Sequence, residues 1–138
     1  MNYAELIQLY FERSNALQAY WTLYVVIVGG LLAFSSLRKQ PAALTTAIVS
    51  LLFLLFAYEN LSAIQATASQ RFATLDAIKK SEGSAADVAR LREALEPTLN
   101  PASLGSTRTT HLLSDALTIA ALWAMELRRR KMQRAIEV

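Results

Sequence analysis

Two long apolar stretches, separated by only four residues, dominate the first half of this chain. Residues 20–37 and 42–58 contain no Asp, Glu, Lys or Arg, and the segment 38–41, Arg-Lys-Gln-Pro, divides them. At ~1.5 Å per residue, a helix of this length just crosses a hydrocarbon layer of ~30 Å. A soluble helical hairpin would need far more surrounding chain to cover helices that are apolar on every side. The two stretches therefore predict a pair of membrane-spanning helices.

A third apolar stretch, residues 110–127, carries polar residues near both of its ends. Asp115 lies in its first half and Glu126 lies next to its last residue. An Asp inside a span costs up to ~3 kcal/mol, and less near an end. Four basic residues, 128–131, follow directly, as is typical of the cytoplasmic end of a span. We predict an all-α integral membrane protein with three transmembrane helices, forming a single membrane domain over residues 1–138.

The basic residues are concentrated on one side of the predicted spans. The net charge is +3, with 14 Lys and Arg in total, and half of them lie after the first or third stretch: Arg38, Lys39, Arg128, Arg129, Arg130, Lys131 and Arg134. The positive-inside rule then places the N-terminus outside and the basic tail, residues 128–138, in the cytoplasm, as in a multi-pass protein of the inner or plasma membrane. We interpret these residues as topology determinants that contact the lipid bilayer. No nucleic-acid site is predicted, because no aromatic platform accompanies them.

The segments outside the predicted spans also show helical spacing. After the second span, an apolar residue recurs every three or four positions at Leu61, Ile64, Ala68, Phe72, Leu75 and Ile78. This periodicity favours helix over the alternative, a disordered loop. We predict that residues 59–100 form an outer helical segment. Together with the helical start of the chain, this segment would build a small extramembrane bundle on the outer side.

The third span carries one polar stripe. His111 and Asp115 are four residues apart, so they share a helix face, and Ser114 and Thr118 lie close to the same line. Such a stripe cannot face lipid without a large cost, so it has to face other spans, a water-filled cavity or copies of itself. Glu59 is predicted at the same depth, where the second span ends.

Three interpretations of this stripe remain open. The first is a hydrogen-bonded lock between helices, in which a tyrosine or serine of a neighbouring helix satisfies Asp115. The second is an ion or proton path, with Asp115 and Glu59 arranged around the axis of an oligomer. The third is a metal or catalytic site. The metal site would be built from His111, Asp115 and Glu59, for which a single histidine in the chain is a weak signal.

Other motifs limit the function further. Gly29 and Ala33 form a small-x-x-x-small pair, which is typical of close helix packing. The chain contains no cysteine, which excludes disulfides, thiolate metal sites and cysteine nucleophiles. It also lacks dinucleotide-binding, P-loop and zinc-protease motifs. We therefore predict neither an enzyme nor a cofactor.

Three spans enclose too little volume for a conduction path or a substrate pocket of their own. The sequence thus predicts a homo-oligomer or a subunit of a larger membrane complex. As function we expect a small oligomeric protein of the pore or channel type, with the polar stripe lining the passage. The alternative is a non-enzymatic accessory or signalling subunit, and a second alternative is an intramembrane metal-binding protein.

Overall fold

The described part of the protein is entirely helical. The computed structural model describes residues 2–81 and 86–136, except for the side chains of residues 86 and 87. Its helices are α1 (Tyr3–Leu37), α2 (Ala43–Lys80), α3 (Ala86–Leu95) and α4 (Leu104–Ile136), and a 3₁₀ turn (Glu96–Thr98) follows α3. The described residues contain no strand. The all-α prediction is confirmed.

The long helices run without a break through the predicted boundaries of the spans. Helix α1 has 35 residues, which corresponds to ~52 Å at ~1.5 Å per residue. Its start is fixed by a capping box, in which the Asn2 side chain accepts from the Glu5 amide (2.9 Å) and the Glu5 carboxylate accepts from the Asn2 amide (2.8 Å). Helix α2 has 38 residues and likewise continues well beyond its apolar half. Both helices therefore have one apolar and one more polar part.

The three long helices pack side by side. The short connection after α1 makes α2 antiparallel to it, and α4 is antiparallel to α2 and parallel to α1. The loop between α1 and α2 and the C-terminal part of α4 therefore meet at one end, which we call the basic end. The start of α1, the last turns of α2 and α3 lie at the opposite end.

A small apolar core closes this opposite end. It joins residues from α1, α2 and the segment after the 3₁₀ turn, namely Tyr3, Leu6, Tyr10, Leu75, Ile78 and Leu99. Helix α3 packs on it through Val88. Arg92 holds α3 in place, because its guanidinium donates to the Ile78 carbonyl (2.8 Å) and pairs with Glu96 (2.6 Å). Residues 59–80 of the predicted outer segment thus continue α2, and they pack with the start of α1 and with α3 into a compact bundle of helix ends.

Around the middle of the bundle, the exposed surface is apolar and the buried surface is largely polar. The buried residues of α4 are His111, Asp115, Thr118, Leu122 and Glu126, whereas its exposed large side chains include Leu112, Leu113, Leu117 and Leu127. In the apolar half of α2 the buried set includes Thr46, Ser50 and Asn60, and the exposed set includes Leu44, Ile48, Leu51, Leu52, Leu54 and Leu55. This arrangement is the reverse of that in a water-soluble bundle.

Two of the helices in the described part, α1 and α2, are long and apolar enough to cross a membrane. Only 11% of the apolar window of α1 and 28% of that of α2 is buried within the protein. A core helix of a soluble protein is mostly buried, so these two helices resemble lipid-facing helices in their exposure as well as in their composition.

Candidate functional site

Two networks of polar side chains lie inside the helix bundle, one above the other. The histidine network consists of Tyr24, Asn60, His111 and Asp115. The glutamate network, at the basic end, centres on Glu126 and its arginine partners. Each network connects all three long helices.

The histidine network is closed and almost completely buried. On α4, His111 Nδ1 lies 2.9 Å from Asp115 Oδ2, as expected for two residues one turn apart. From α1, the Tyr24 hydroxyl donates to Asp115 Oδ1 at 2.8 Å. From α2, Asn60 Oδ1 lies 3.1 Å from His111 Nε2. His111 is fully buried, and only 9% of the surface of Asp115 is exposed.

Aromatic rings shield this network from its surroundings. The Tyr24 ring lies 4.3 Å from the His111 ring, and the Trp21 ring lies 5.6 Å from it, measured between centroids. Phe53 of α2 also packs near Tyr24, with 6.3 Å between the ring centroids. Because hydrogen bonds are stronger in such a low-dielectric environment, an unsatisfied member of the network would be costly.

The hydrogen-bond partners define how many protons the network holds. The Asn60 amide nitrogen donates to the Tyr20 carbonyl at 3.2 Å, and a carbonyl can only accept. The oxygen of Asn60 therefore faces His111, so His111 Nε2 carries a hydrogen. One further proton lies between His111 Nδ1 and Asp115. The network is fully satisfied when the pair is neutral overall, either as imidazolium with carboxylate or as imidazole with carboxylic acid.

The structure brings together some of the residues predicted from the polar stripe and separates others. His111 and Asp115 meet as their spacing predicts, and the partner on the neighbouring helix is a tyrosine, as in the interhelical-lock interpretation. The hydroxyls of Ser114 and Thr118 donate to carbonyls of their own helix, at 2.9 and 2.8 Å. Glu59 is exposed, and its neighbour Asn60 contacts His111 instead.

The residues considered for a metal site do not come together as one. Glu59 lies outside the histidine network, which leaves His111 and Asp115 as a pair. Over residues 2–81 and 86–136, no three His, Asp or Glu side chains are placed so that they could hold an ion jointly.

The glutamate network surrounds one fully buried carboxylate with cations. Glu126 has no exposed side-chain surface. Its carboxylate oxygens lie 3.3 Å from Arg129, 3.2 Å from Arg130 and 3.6 Å from Arg38. The Ala42 amide and the Thr46 hydroxyl, at the start of α2, each donate to it at 3.3 Å. One negatively charged carboxylate thus pairs with three positively charged guanidinium groups.

These arginines also connect the helix ends. Arg129 donates to the Ser35 carbonyl, near the end of α1, at 2.7 Å. Arg38 donates to the Ala42 carbonyl and to the Thr46 hydroxyl, both at 3.1 Å. The sequence indicates part of this arrangement, because residues 129 and 130 lie three and four positions after Glu126 on a helix. It gives no sign of the contacts with Ser35, Ala42 and Thr46.

The two networks are separated along the axis of the bundle. Asp115 and Glu126 are 11 positions apart on α4, which is ~16 Å along the helix. Phe53 and Leu122 lie between these levels and are 2% and 1% exposed, and the smaller polar side chains of Ser50 and Thr118 are buried there as well. Proton or ion movement along this axis would have to pass the two large apolar side chains.

The predicted packing pair on α1 faces outward. Gly29 and Ala33 are exposed, and a Cβ atom added at Gly29 would meet nothing within 4 Å. The pair therefore makes no close helix contact within the protomer. Its packing role remains a prediction for contacts with another molecule.

Comparisons with protein-family models, with curated proteins and with solved structures gave no match to this chain.

Proposed function

We propose that this protein is a three-span membrane protein that acts, without catalysis, as an assembly subunit in a membrane complex containing several copies of itself or a larger partner. The observation that supports this most is the reversed distribution of side chains on α4. Its buried face carries His111, Asp115, Thr118 and Glu126, and its exposed face carries leucines. A helix with this distribution is stable where the surroundings are apolar.

The proposed third span depends on the two networks. The hydropathy of α4 is lowered by Asp115 and Glu126, each of which would be costly if it faced lipid. Here Asp115 pairs with His111, and Glu126 is enclosed by arginines at the level where the helix would leave the membrane. Because both acids point into the bundle, α4 presents an apolar surface to lipid in spite of its composition.

The orientation follows from the position of the cations. The basic end contains Arg38, Lys39 and the run 128–131, and we place it in the cytoplasm by the positive-inside rule. We take the membrane to be the inner or plasma membrane of the cell. The bundle of helix ends around Tyr3 and Ile78 then lies on its outer side.

An assembly role fits the protomer better than a conducting role. The polar groups of the stripe are buried and hydrogen-bonded inside one protomer, whereas a pore lining has to be open to water. The surfaces left for other molecules are apolar or built from small residues. Surfaces of this kind associate with other helices in the membrane by close packing.

The exposed Gly29–Ala33 face of α1 is the proposed contact between copies. Replacing Gly29 by Leu would hold the two helices apart, and we expect the dissociation constant of the oligomer to rise about tenfold or more. The protomer itself should fold normally, since Gly29 is exposed and a Cβ atom at this position meets nothing within 4 Å. The measurement is the molecular mass in a mild detergent as a function of protein concentration.

Gly105→Leu is the matched control for this experiment. Gly105 is also helical, exposed and free of neighbours within 4 Å, but it lies at the start of α4. The control should keep the mass of the natural protein. An equal loss of mass in both variants, or in neither, would count against the Gly29–Ala33 contact.

A pore is the second candidate, and the buried titratable pair His111–Asp115 favours it. In a pore built around this pair, Asp115→Asn should change ion or proton flux into liposomes without altering the oligomeric mass. An assembly subunit should give the same flux as protein-free liposomes, with or without the substitution.

A further inference from the structure

A cavity at the basic end combines a cationic wall with an apolar one. It has a volume of about 820 Å³. Its cationic residues are Arg38, Lys39, Arg128 and Arg129, and its apolar residues include Met125 and Met132. Acidic residues are absent from its described lining. The cavity lies between the α1–α2 connection and the C-terminal part of α4, next to the ends of the proposed spans.

The charge on the cationic wall is far from balanced. The single carboxylate of Glu126 already pairs with three arginines. These four side chains together carry a net charge of two positive units. Lys39 and Arg128 add two more, and both are exposed. Cations gathered in this way attract an anion, and guanidinium groups match the geometry of phosphate oxygens.

Arg129 supplies a second, independent observation. Its side chain is only 10% exposed, and two of its nitrogens are bound to Ser35 and Glu126. Its third nitrogen, Nε, is buried and has no hydrogen-bond partner. A buried donor without a partner costs free energy, so Arg129, which lines the cavity, would gain from an acceptor that reached this nitrogen.

The apolar wall indicates the source of the anion. Met132 and Ile136 are 58% and 84% exposed beside the cationic residues. A free phosphate ion would use the arginines alone, whereas a glycerophospholipid would also place its glycerol and upper acyl carbons against these apolar side chains. At a cytoplasmic membrane surface, a basic pocket next to the helix ends meets anionic headgroups directly.

We propose that this cavity is a binding site for the headgroup of an anionic glycerophospholipid, with the phosphodiester at Arg38, Arg128 and Arg129. The inference rests on the proposed membrane embedding. Retention of the protein in vesicles after an alkaline wash tests embedding separately, so the two proposals fail in different ways.

The test is a lipid titration of the purified full-length protein, followed by native mass spectrometry from detergent micelles. The variant pair Lys39→Gln/Arg128→Gln removes two cavity cations that do not contact Glu126. The control pair Lys131→Gln/Arg134→Gln removes the same charge from the C-terminal tail at positions outside this cavity. We expect phosphatidylglycerol to bind the natural protein at least ~10-fold more tightly than phosphatidylcholine, and the cavity variant to lose about tenfold of that affinity.

The control pair should stay within about threefold of the natural protein. An excess of inorganic phosphate should leave the bound phosphatidylglycerol in place. Equal loss of affinity in the two variant pairs would show a diffuse attraction to charge and would overturn the proposal. Equal binding of both lipids, or displacement by inorganic phosphate, would overturn it as well.

Discussion

Replacing Glu126 by Gln is expected to lower the free energy of unfolding by about 3–5 kcal/mol. The substitution keeps the shape of the side chain and removes the carboxylate that Arg38, Arg129 and Arg130 share. Three guanidinium groups would then repel one another around a fully buried position. The measurement is unfolding of the purified protein in mixed micelles with increasing sodium dodecyl sulfate, monitored by tryptophan fluorescence.

Glu59→Gln is the matched control for this prediction. Glu59 is also a helical glutamate, but it is exposed. Its substitution should change the free energy of unfolding by no more than about 0.5 kcal/mol. If Glu126→Gln were as stable as this control, the glutamate network would not hold the helix ends together.

Replacing Asp115 by Ala should be the second most damaging change. It leaves the Tyr24 hydroxyl and the His111 ring nitrogen without their partner inside the bundle. Buried groups that lose a partner cost about 1–3 kcal/mol, and hydrogen bonds between membrane helices average ~0.6 kcal/mol. We expect a loss of about 1–3 kcal/mol in the same unfolding measurement.

Asp115→Asn should be nearly neutral by comparison, with a loss below about 1 kcal/mol. An asparagine oxygen can accept from Tyr24, and its amide can donate to His111 Nδ1 while Nε2–H still donates to Asn60. All donors and acceptors are then satisfied, with the imidazole uncharged. An equal loss in the Asn and Ala variants would contradict the overall neutral state assigned to the His111–Asp115 pair.

The helices themselves follow closely from the sequence. The charge-free stretches and the three-to-four spacing after Tyr58 are local patterns, and the structure confirms them as continuous helices. The spacing of His111 and Asp115 is also local, since one turn of a single helix brings them together. Patterns within one helix therefore account for the all-α fold and for the His111–Asp115 half of the histidine network.

The contacts between different helices could not be predicted from patterns within one helix. Glu59 and Asn60 are adjacent, and a rotation of α2 by one position decides which of them meets His111. That rotation depends on packing around Phe53 and Ala57, which joins α1, α2 and α4. For the same reason, the partners of Glu126 at Ser35, Ala42 and Thr46 depend on how three helix ends align.

The most direct test of the proposed three-span architecture is the accessibility of single cysteines to a membrane-impermeant maleimide in intact cells. The chain has no cysteine, so each added one reports its own position. Suitable exposed positions are Gln40→Cys, Ala102→Cys and Ala135→Cys. Ala102→Cys should be labelled in intact cells, and the other two only after permeabilisation. Labelling of Ala135→Cys in intact cells, to the same extent as Ala102→Cys, would show that α4 does not cross the membrane and would contradict the architecture.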